Sequence, residues 1–135
     1  MARKRHLSRI AVMQTLFEQG TRSIDCETAL ERNCAGQSGD ADIDFAKTLL
    51  KGVLAREEDI RLIVQEHAPG WTLDRMDPVS RYTLLLGCYE LLFAKDAPPA
   101  VVMNESIEIA KEFGTAESGK FVNGVLNAIA HGEKK

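Results

Sequence analysis

Three side chains near the C-terminal end of the chain have the types and spacing that suit a phosphate with a base beside it. Ser118 offers a hydroxyl, Lys120 a cation and Phe121 an aromatic ring. They follow shortly after the helix-ending Gly114, so we expect them near the start of a new helix, where unpaired backbone N–H groups favour anions. An aromatic ring at such a place can stack on an unpaired base. The segment therefore indicates contact with a nucleic-acid strand.

The other end of the chain supplies positive charge. Residues 1–9 hold four of the 17 basic residues and none of the 20 acidic ones, which leaves 13 basic against 20 acidic residues, a net charge of -7, for everything after Arg9. The four cations are Arg3, Lys4, Arg5 and Arg9. A basic tip on an acidic body favours a local patch for a short single strand over a groove for long duplex. The alternative is a solvated N-terminal tail.

Apolar residues recur at helical spacing along almost the whole chain, and no segment alternates convincingly as a strand, which predicts an all-α fold. The first helix is predicted to stop at Gly20, and its apolar positions are Leu7, Ile10, Met13 and Phe17. Arg5 and Arg9 lie one turn apart beside this stripe, so we expect a basic ridge there.

The middle of the chain contains three further predicted helices. The second covers 24–34, and a long third runs from a cap at Asp40 or Asp42 to a stop at Pro69. Asp77 followed by a proline begins the fourth, because a carboxylate caps the free N–H groups and proline fits the first turn. This fourth helix is apolar nearly all round, which places it at the centre of the bundle.

Two more helices are predicted in the last third of the chain. The fifth ends at Gly114, and the sixth buries a stripe made of Val122, Val125, Leu126 and Ile129. Phe121 then falls at the margin of that stripe, since one residue rotates the helix by about 100 degrees. Its ring either reaches solvent or closes the edge of the core. We expect the basic start and this ring to form one continuous surface for RNA.

Catalytic and ligand-binding motifs are not convincing in this sequence. The segment 114–120 satisfies the spacing G-x-x-x-x-G-K of a phosphate-binding loop, but Phe121 stands where a magnesium-binding hydroxyl is needed and a helix precedes the loop. The three histidines, His6, His67 and His131, lie far apart and in no metal-ligand spacing. We therefore predict no enzyme activity, no metal and no cofactor.

Compartment and domain organisation follow from length and composition. A chain of 135 residues is expected to make a single domain over 1–135. The three cysteines form no C-x-x-C pair, which favours reduced, buried thiols. The longest apolar run, 82–93, is shorter than the roughly 20 residues of a membrane helix, and the basic start lacks an apolar signal region. We expect a cytoplasmic protein without a membrane anchor.

Taken together, the residues resemble the NusB family of bacterial transcription antitermination factors. Two motifs, 104–111 (NESIEIAK) and 118–126 (SGKFVNGVL), are specific in combination. Further matching positions are Arg9, Ala11, Gln14, Leu16, Phe17, Asp77, Arg81 and 89–91. They span nearly the whole chain.

The resemblance implies a helical bundle of about six or seven helices in two packed sub-bundles. It implies binding of the single-stranded boxA RNA element of nascent ribosomal transcripts together with the ribosomal protein NusE, and an indirect action on the transcribing RNA polymerase complex. The family's RNA surface maps onto Arg3, Lys4, Arg5, Arg9, Glu117, Ser118, Lys120 and Phe121. A homodimer of the free protein is a further possibility in this family.

Two other functions compete with this interpretation. One is an RNA-modification accessory domain, because NusB-like domains also occur fused to RNA cytosine methyltransferases; such an enzyme needs a further α/β domain. The other is a protein-binding helical adaptor whose basic start is only a tail. The salt slope is the slope of the logarithm of the RNA binding constant against the logarithm of the salt concentration. Four phosphate contacts predict a salt slope of roughly -3, which an adaptor would lack.

Overall fold

Helices make up all the regular structure in the part of the chain that the computed structural model describes, residues 2–37 and 40–132. This confirms the all-α prediction. The α-helices of the described residues are α1 (Ala2–Thr21), α2 (Cys26–Ala35), α3 (Ile43–Ala55), α4 (Glu57–Glu66), α5 (Pro78–Tyr89), α6 (Pro99–Phe113) and α7 (Ala116–Ala130). A 3-10 turn (Leu73–Arg75) precedes α5 and a π-helical turn (Glu90–Ala94) follows it.

The chain divides into two compact units, Met1–Gly52 and Val53–Lys135. Each is described by itself, and a single domain over 1–135 stays a prediction. No helix among the described residues is both long and apolar enough to cross a membrane.

In the first unit, α1 packs against α2 through polar as well as apolar contacts. The amide of Asn33 donates to Thr15 Oγ1 at 3.0 Å and to Glu18 Oε2 at 3.1 Å. Arg32 forms an ion pair with Glu18, and its guanidinium hydrogen bond lowers the pKa of that carboxyl. These contacts fix the last turns of α1 against the last turn of α2.

The start of α3 is tied to the first turns of α1. Asp42 caps α3 by accepting the N–H of Phe45 at 3.1 Å, which confirms one of the two predicted caps. The backbone N–H of Asp42 in turn donates to the hydroxyl of Ser8 at 2.7 Å. The beginning of α3 therefore lies beside the basic part of α1.

The second unit is built around α5, which packs against α4, α6 and α7. Every residue from Tyr82 to Cys88 is buried, so the predicted central helix is confirmed. A Cβ atom added at Gly87 would lie 2.9 Å from Leu126 Cδ1 and from Ser106 Oγ, so the glycine allows α6 and α7 to approach closely. Burial also raises the pKa of the Cys88 thiol to about 12, which keeps it protonated.

One predicted element is wrong, because the long third helix is two helices. The chain leaves helical geometry at Arg56, where φ is -113° and ψ is 17°, and α4 begins at Glu57. The first turn of α4 carries three carboxylates, Glu57, Glu58 and Asp59. Negative side chains stabilise the positive N-terminal end of a helix, so they favour a new start here. This acidic run was the available sequence signal for the break.

Candidate nucleic-acid interface

The basic start of the chain is helical from Ala2, so its four cations are held on the rigid frame of α1. Arg3 and Lys4 are exposed, and Arg5 is half-buried. The Arg5 guanidinium carbon lies 4.3 Å from the centroid of the Phe45 ring, close enough for a cation–π contact. Arg3 and Lys4 are therefore the cations of this segment with the most open access to a phosphate.

Arg9 is buried, whereas the sequence predicted that it would lie on a basic ridge of α1. It is only 4% exposed, and its guanidinium carbon lies 5.2 Å from the centroid of Phe45. Helix α1 is buried on all sides from Leu7 to Met13, so its flank is not open at this position. The planar guanidinium and aliphatic stem of arginine suit such packing on a ring. A direct contact between Arg9 and RNA stays a prediction.

The start of α7, which carries the predicted site residue Ser118, forms a capping box. The N–H of Ser118 donates to Thr115 Oγ1 at 3.1 Å, and the N–H of Thr115 donates to Ser118 Oγ at 3.1 Å. Ser118 is 7% exposed, and its hydroxyl lies 3.4 Å from Asp77 Oδ2. The hydroxyl proposed from the sequence as a phosphate ligand therefore fixes the start of α7 in this structure.

Asp77 connects this cap to the start of α5. One carboxylate oxygen accepts the N–H of Ser80 at 2.9 Å, as predicted for a helix cap, and the other accepts the Ser80 hydroxyl at 2.7 Å. Since the second oxygen also faces Ser118, the two helix N-termini meet at one carboxylate. The starts of α5 and α7 are thereby held together.

Phe121 lies at the margin of the buried stripe of α7, as its position in the sequence predicts. It is half-buried, while the next residue, Val122, is fully buried. Its ring contacts Trp71 edge to face, with centroids 5.6 Å apart and planes at 61°. Trp71 is 48% exposed. The two rings form an aromatic pair on the surface of the second unit.

This aromatic pair forms one wall of a cleft of about 290 Å³. The cleft is lined by Trp71, Met76, Asp77, Thr115, Glu117, Ser118 and Phe121. Lys120 is exposed on the neighbouring turn of α7, and its Nζ lies 3.8 Å from a carboxylate oxygen of Glu117. Because both side chains are largely exposed, this ion pair is weak and opens easily to another partner.

The structure thus gathers three of the predicted site residues, Glu117, Ser118 and Phe121, around one cleft, with Lys120 beside it. The cations of α1 belong to the first unit, and their continuity with this cleft stays a prediction. Sequence reasoning missed Trp71 as a member of the site. The available signal was that the only tryptophan of the chain stands next to a predicted turn, where a large apolar ring has little core to enter.

Comparison with known proteins gives consistent matches over almost the full length. The sequence profile of the NusB family matches residues 6–131. The transcription antitermination protein NusB of Bacillus licheniformis is 41% identical over 126 residues, which cover 93% of this chain and 95% of that protein. The protein of the same name from Saccharopolyspora erythraea is 40% identical and covers 93% of this chain and 86% of its own length.

Solved structures agree with these matches. The structure of NusB from T. maritima has a TM-score of 0.84 and 36% identity, and covers 97% of this chain and 93% of that one. A chain in the crystal structure of antitermination factors NusB and NusE in complex with dsRNA has a TM-score of 0.87 and 28% identity, with 98% and 99% of the two chains covered.

Proposed function

The chain belongs to the NusB family, and from this premise we propose that it is a transcription antitermination factor that binds the single-stranded boxA RNA of nascent ribosomal transcripts together with NusE. The family match over residues 6–131 supports this function most directly. The relatives carry the name of an antitermination protein and not of an enzyme, in agreement with the prediction of no enzyme activity.

Two features of the structure support an RNA-binding role. The exposed cations Arg3 and Lys4 offer contacts for phosphates, which carry most of the affinity for a nucleic acid. The Trp71–Phe121 pair offers a surface for bases, which are open to stacking only where the strand is unpaired. Charge and rings together fit a single strand better than a duplex, whose bases already stack on each other.

The partner and the cellular setting follow from the same family. NusE accompanies NusB in a solved complex, and we propose the same partner for this chain. The acidic remainder of the chain, with a net charge of -7 after Arg9, favours a basic protein partner. The action on RNA polymerase is indirect, through the bound transcript, and takes place in the cytoplasm. A homodimer of the free protein stays a prediction.

A salt series of RNA titrations tests this function. A labelled single-stranded boxA-like RNA is titrated with wild type and with an Arg3→Ala/Lys4→Ala variant, with and without NusE. Since each phosphate contact to a single strand contributes about -0.7 to the log-log salt slope, the variant should have a slope shallower by about 1.4. Its affinity near 0.15 M salt should fall roughly ten-fold.

The matched control is Arg22→Ala/Lys51→Ala, which removes two exposed cations of the same unit away from the first turns of α1. It should leave the slope unchanged. A duplex of the same sequence is titrated in parallel, because the solved NusB–NusE complex contains dsRNA. Equal slopes for both variants would favour the protein-binding adaptor, and tighter binding of the duplex would contradict the single-strand proposal.

A further inference from the structure

We propose that Trp71 is the surface on which an unpaired base stacks, with Phe121 as its support. This inference rests on the proposed RNA-binding function and assigns the cleft as the place where a base of the RNA binds. Trp71 is 48% exposed, whereas Phe121 is half-buried at the edge of the stripe of α7. The indole therefore presents the larger open ring surface to a ligand.

The geometry of the two rings decides where a base can go. Their centroids are 5.6 Å apart and their planes meet at 61°, so the rings already touch edge to face. A base inserted between them would require parallel rings at a larger separation. A base can instead stack on the open face of Trp71, while Phe121 supports the indole from the core side. Phe121 is then a positioning residue.

The charged groups of the cleft favour a base over a phosphate. The ionisable side chains that line it are Asp77 and Glu117, both carboxylates that repel a phosphate anion. Lys120 lies outside the cleft lining but directly precedes Phe121 in α7, where a phosphate of the same strand can reach it. The volume of about 290 Å³ is at the small end of the range for ligand clefts, roughly 300 to 1,000 Å³, which suits one ring system.

The loop that carries Trp71 is held in place before any ligand binds. The side-chain amide of Gln65 donates to the carbonyl oxygen of Trp71, and its oxygen accepts the N–H of Leu73 at 3.0 Å. Arg81 then donates to the carbonyls of Leu73 at 2.8 Å and Met76 at 3.1 Å. These bonds fix the backbone from Trp71 to Met76.

A fixed loop lowers the entropic cost of binding, because the ring need not be ordered when the base arrives. Gln65 contacts the backbone of Trp71 directly and lies on the rigid helix α4. We therefore assign Gln65 as a second positioning residue for the base surface. Its role acts through Trp71 and does not require contact with RNA.

Because the chain contains one tryptophan, its intrinsic fluorescence reports on Trp71 alone. Wild type is titrated with a single-stranded RNA and with an abasic strand that has the same number of phosphates. The RNA should quench the emission, since a stacked base contacts the indole, and the abasic strand should not. Binding of both strands is measured independently by the anisotropy of a label on the strand.

Variants then separate the roles of the rings. Trp71→Ala should weaken binding of labelled RNA roughly 5- to 150-fold, the range for one base–aromatic stack, and Trp71→Phe should recover much of it. Phe121→Ala and Gln65→Ala should lower the fluorescence anisotropy of Trp71 without RNA and weaken binding less. The control Phe93→Ala removes a half-buried ring of the same unit outside the cleft lining and should leave RNA binding unchanged.

The outcomes distinguish this inference from the proposed function. If labelled RNA binds wild type without quenching, and Trp71→Phe and Trp71→Ala bind as wild type does, the assignment of Trp71 is overturned while RNA binding stands. If wild type binds no single strand in any condition, both are overturned. Quenching by NusE in the absence of RNA would assign the cleft to protein docking and would also overturn the inference.

Discussion

The first turns of α1 and the cleft at the start of α7 differ in what positions their side chains. The cations of α1 are neighbours in sequence on one helix, whereas the cleft joins the turn at Trp71, the cap at Asp77 and the first turns of α7. Charges act over about a Debye length and weaken with salt, while rings act only in contact. Under the proposed function, we therefore expect the two regions to make separable contributions to RNA binding, one sensitive to salt and one sensitive to packing.

Within α1 itself the cations differ, because the exposed Arg3 and Lys4 lie only about one and a half turns from the buried Arg9. Arg9→Ala should destabilise the protein by about 1–3 kcal/mol, because it removes a packed side chain that is 4% exposed and stacked on Phe45. Arg3→Ala changes an exposed residue and should alter stability by less than about 0.5 kcal/mol. Urea unfolding at pH 7 measures both values.

A different result for Arg9→Ala would place Arg9 among the RNA contacts. If Arg9→Ala folds with unchanged stability but shows a shallower salt slope than wild type, its guanidinium reaches phosphates in solution. The buried arrangement over Phe45 would then not be the one that binds RNA.

A variant that disrupts the cleft should lower RNA affinity without changing the charge of the protein. Thr115→Ala removes the acceptor of the capping box of α7, which should cost about 1 kcal/mol of stability. RNA affinity should fall with it, because the first two turns of α7 carry Glu117 and Phe121, but the salt slope should stay that of wild type. Combined urea unfolding and RNA titration at several salt concentrations test this.

The control for this variant is Thr48→Ala, at an exposed threonine within α3 whose hydroxyl bonds only to the preceding turn. It should be neutral or slightly stabilising, since alanine has the higher helix propensity. A changed salt slope in Thr115→Ala would contradict the separation of charge and packing.

The smallest expected effect on stability concerns the C-terminal end of α1, where an ion pair joins α1 to α2. Hydrogen bonding to Arg32, and then to Asn33, lowers the pKa of Glu18. A lowered folded-state pKa stabilises the protein above the unfolded-state value of about 4.3, and this stabilisation is lost as pH falls through the folded-state pKa. Glu18→Gln should therefore cost at most about 1 kcal/mol at pH 7, and this cost should shrink as the pH falls to 3.

Unfolding of wild type and Glu18→Gln at pH 7 and pH 3 measures this difference. Glu27→Gln is the control, because its ion pair with Lys47 spans 3.7 Å and its side chain is 64% exposed. Its effect at pH 7 should be smaller than that of Glu18→Gln. A constant difference between wild type and Glu18→Gln across the pH range would exclude the proposed ion-pair role.

Local sequence signals predicted the features that depend on neighbouring residues. The cap at Asp77, the buried run of α5 and the marginal position of Phe121 follow from capping chemistry and helical spacing, which act within about one turn or one helix. The signal for the break at Arg56 was also local, namely the three carboxylates that follow it. The apolar spacing, however, continues through this segment and predicted one uninterrupted helix. In that segment two local signals disagreed, and the acidic helix start prevailed.

The sequence alone therefore determined the helical class through its apolar periodicity, and the family through the motifs 104–111 and 118–126. It also determined the chemical types of the candidate RNA contacts, since residue types are properties of the chain itself. Only the tertiary structure decided that Arg9 is buried on Phe45 and that Trp71 lies against Phe121. Exposure and ring contacts depend on which distant segments pack together. Residues 71 and 121 are 50 positions apart, and no local pattern encodes their meeting.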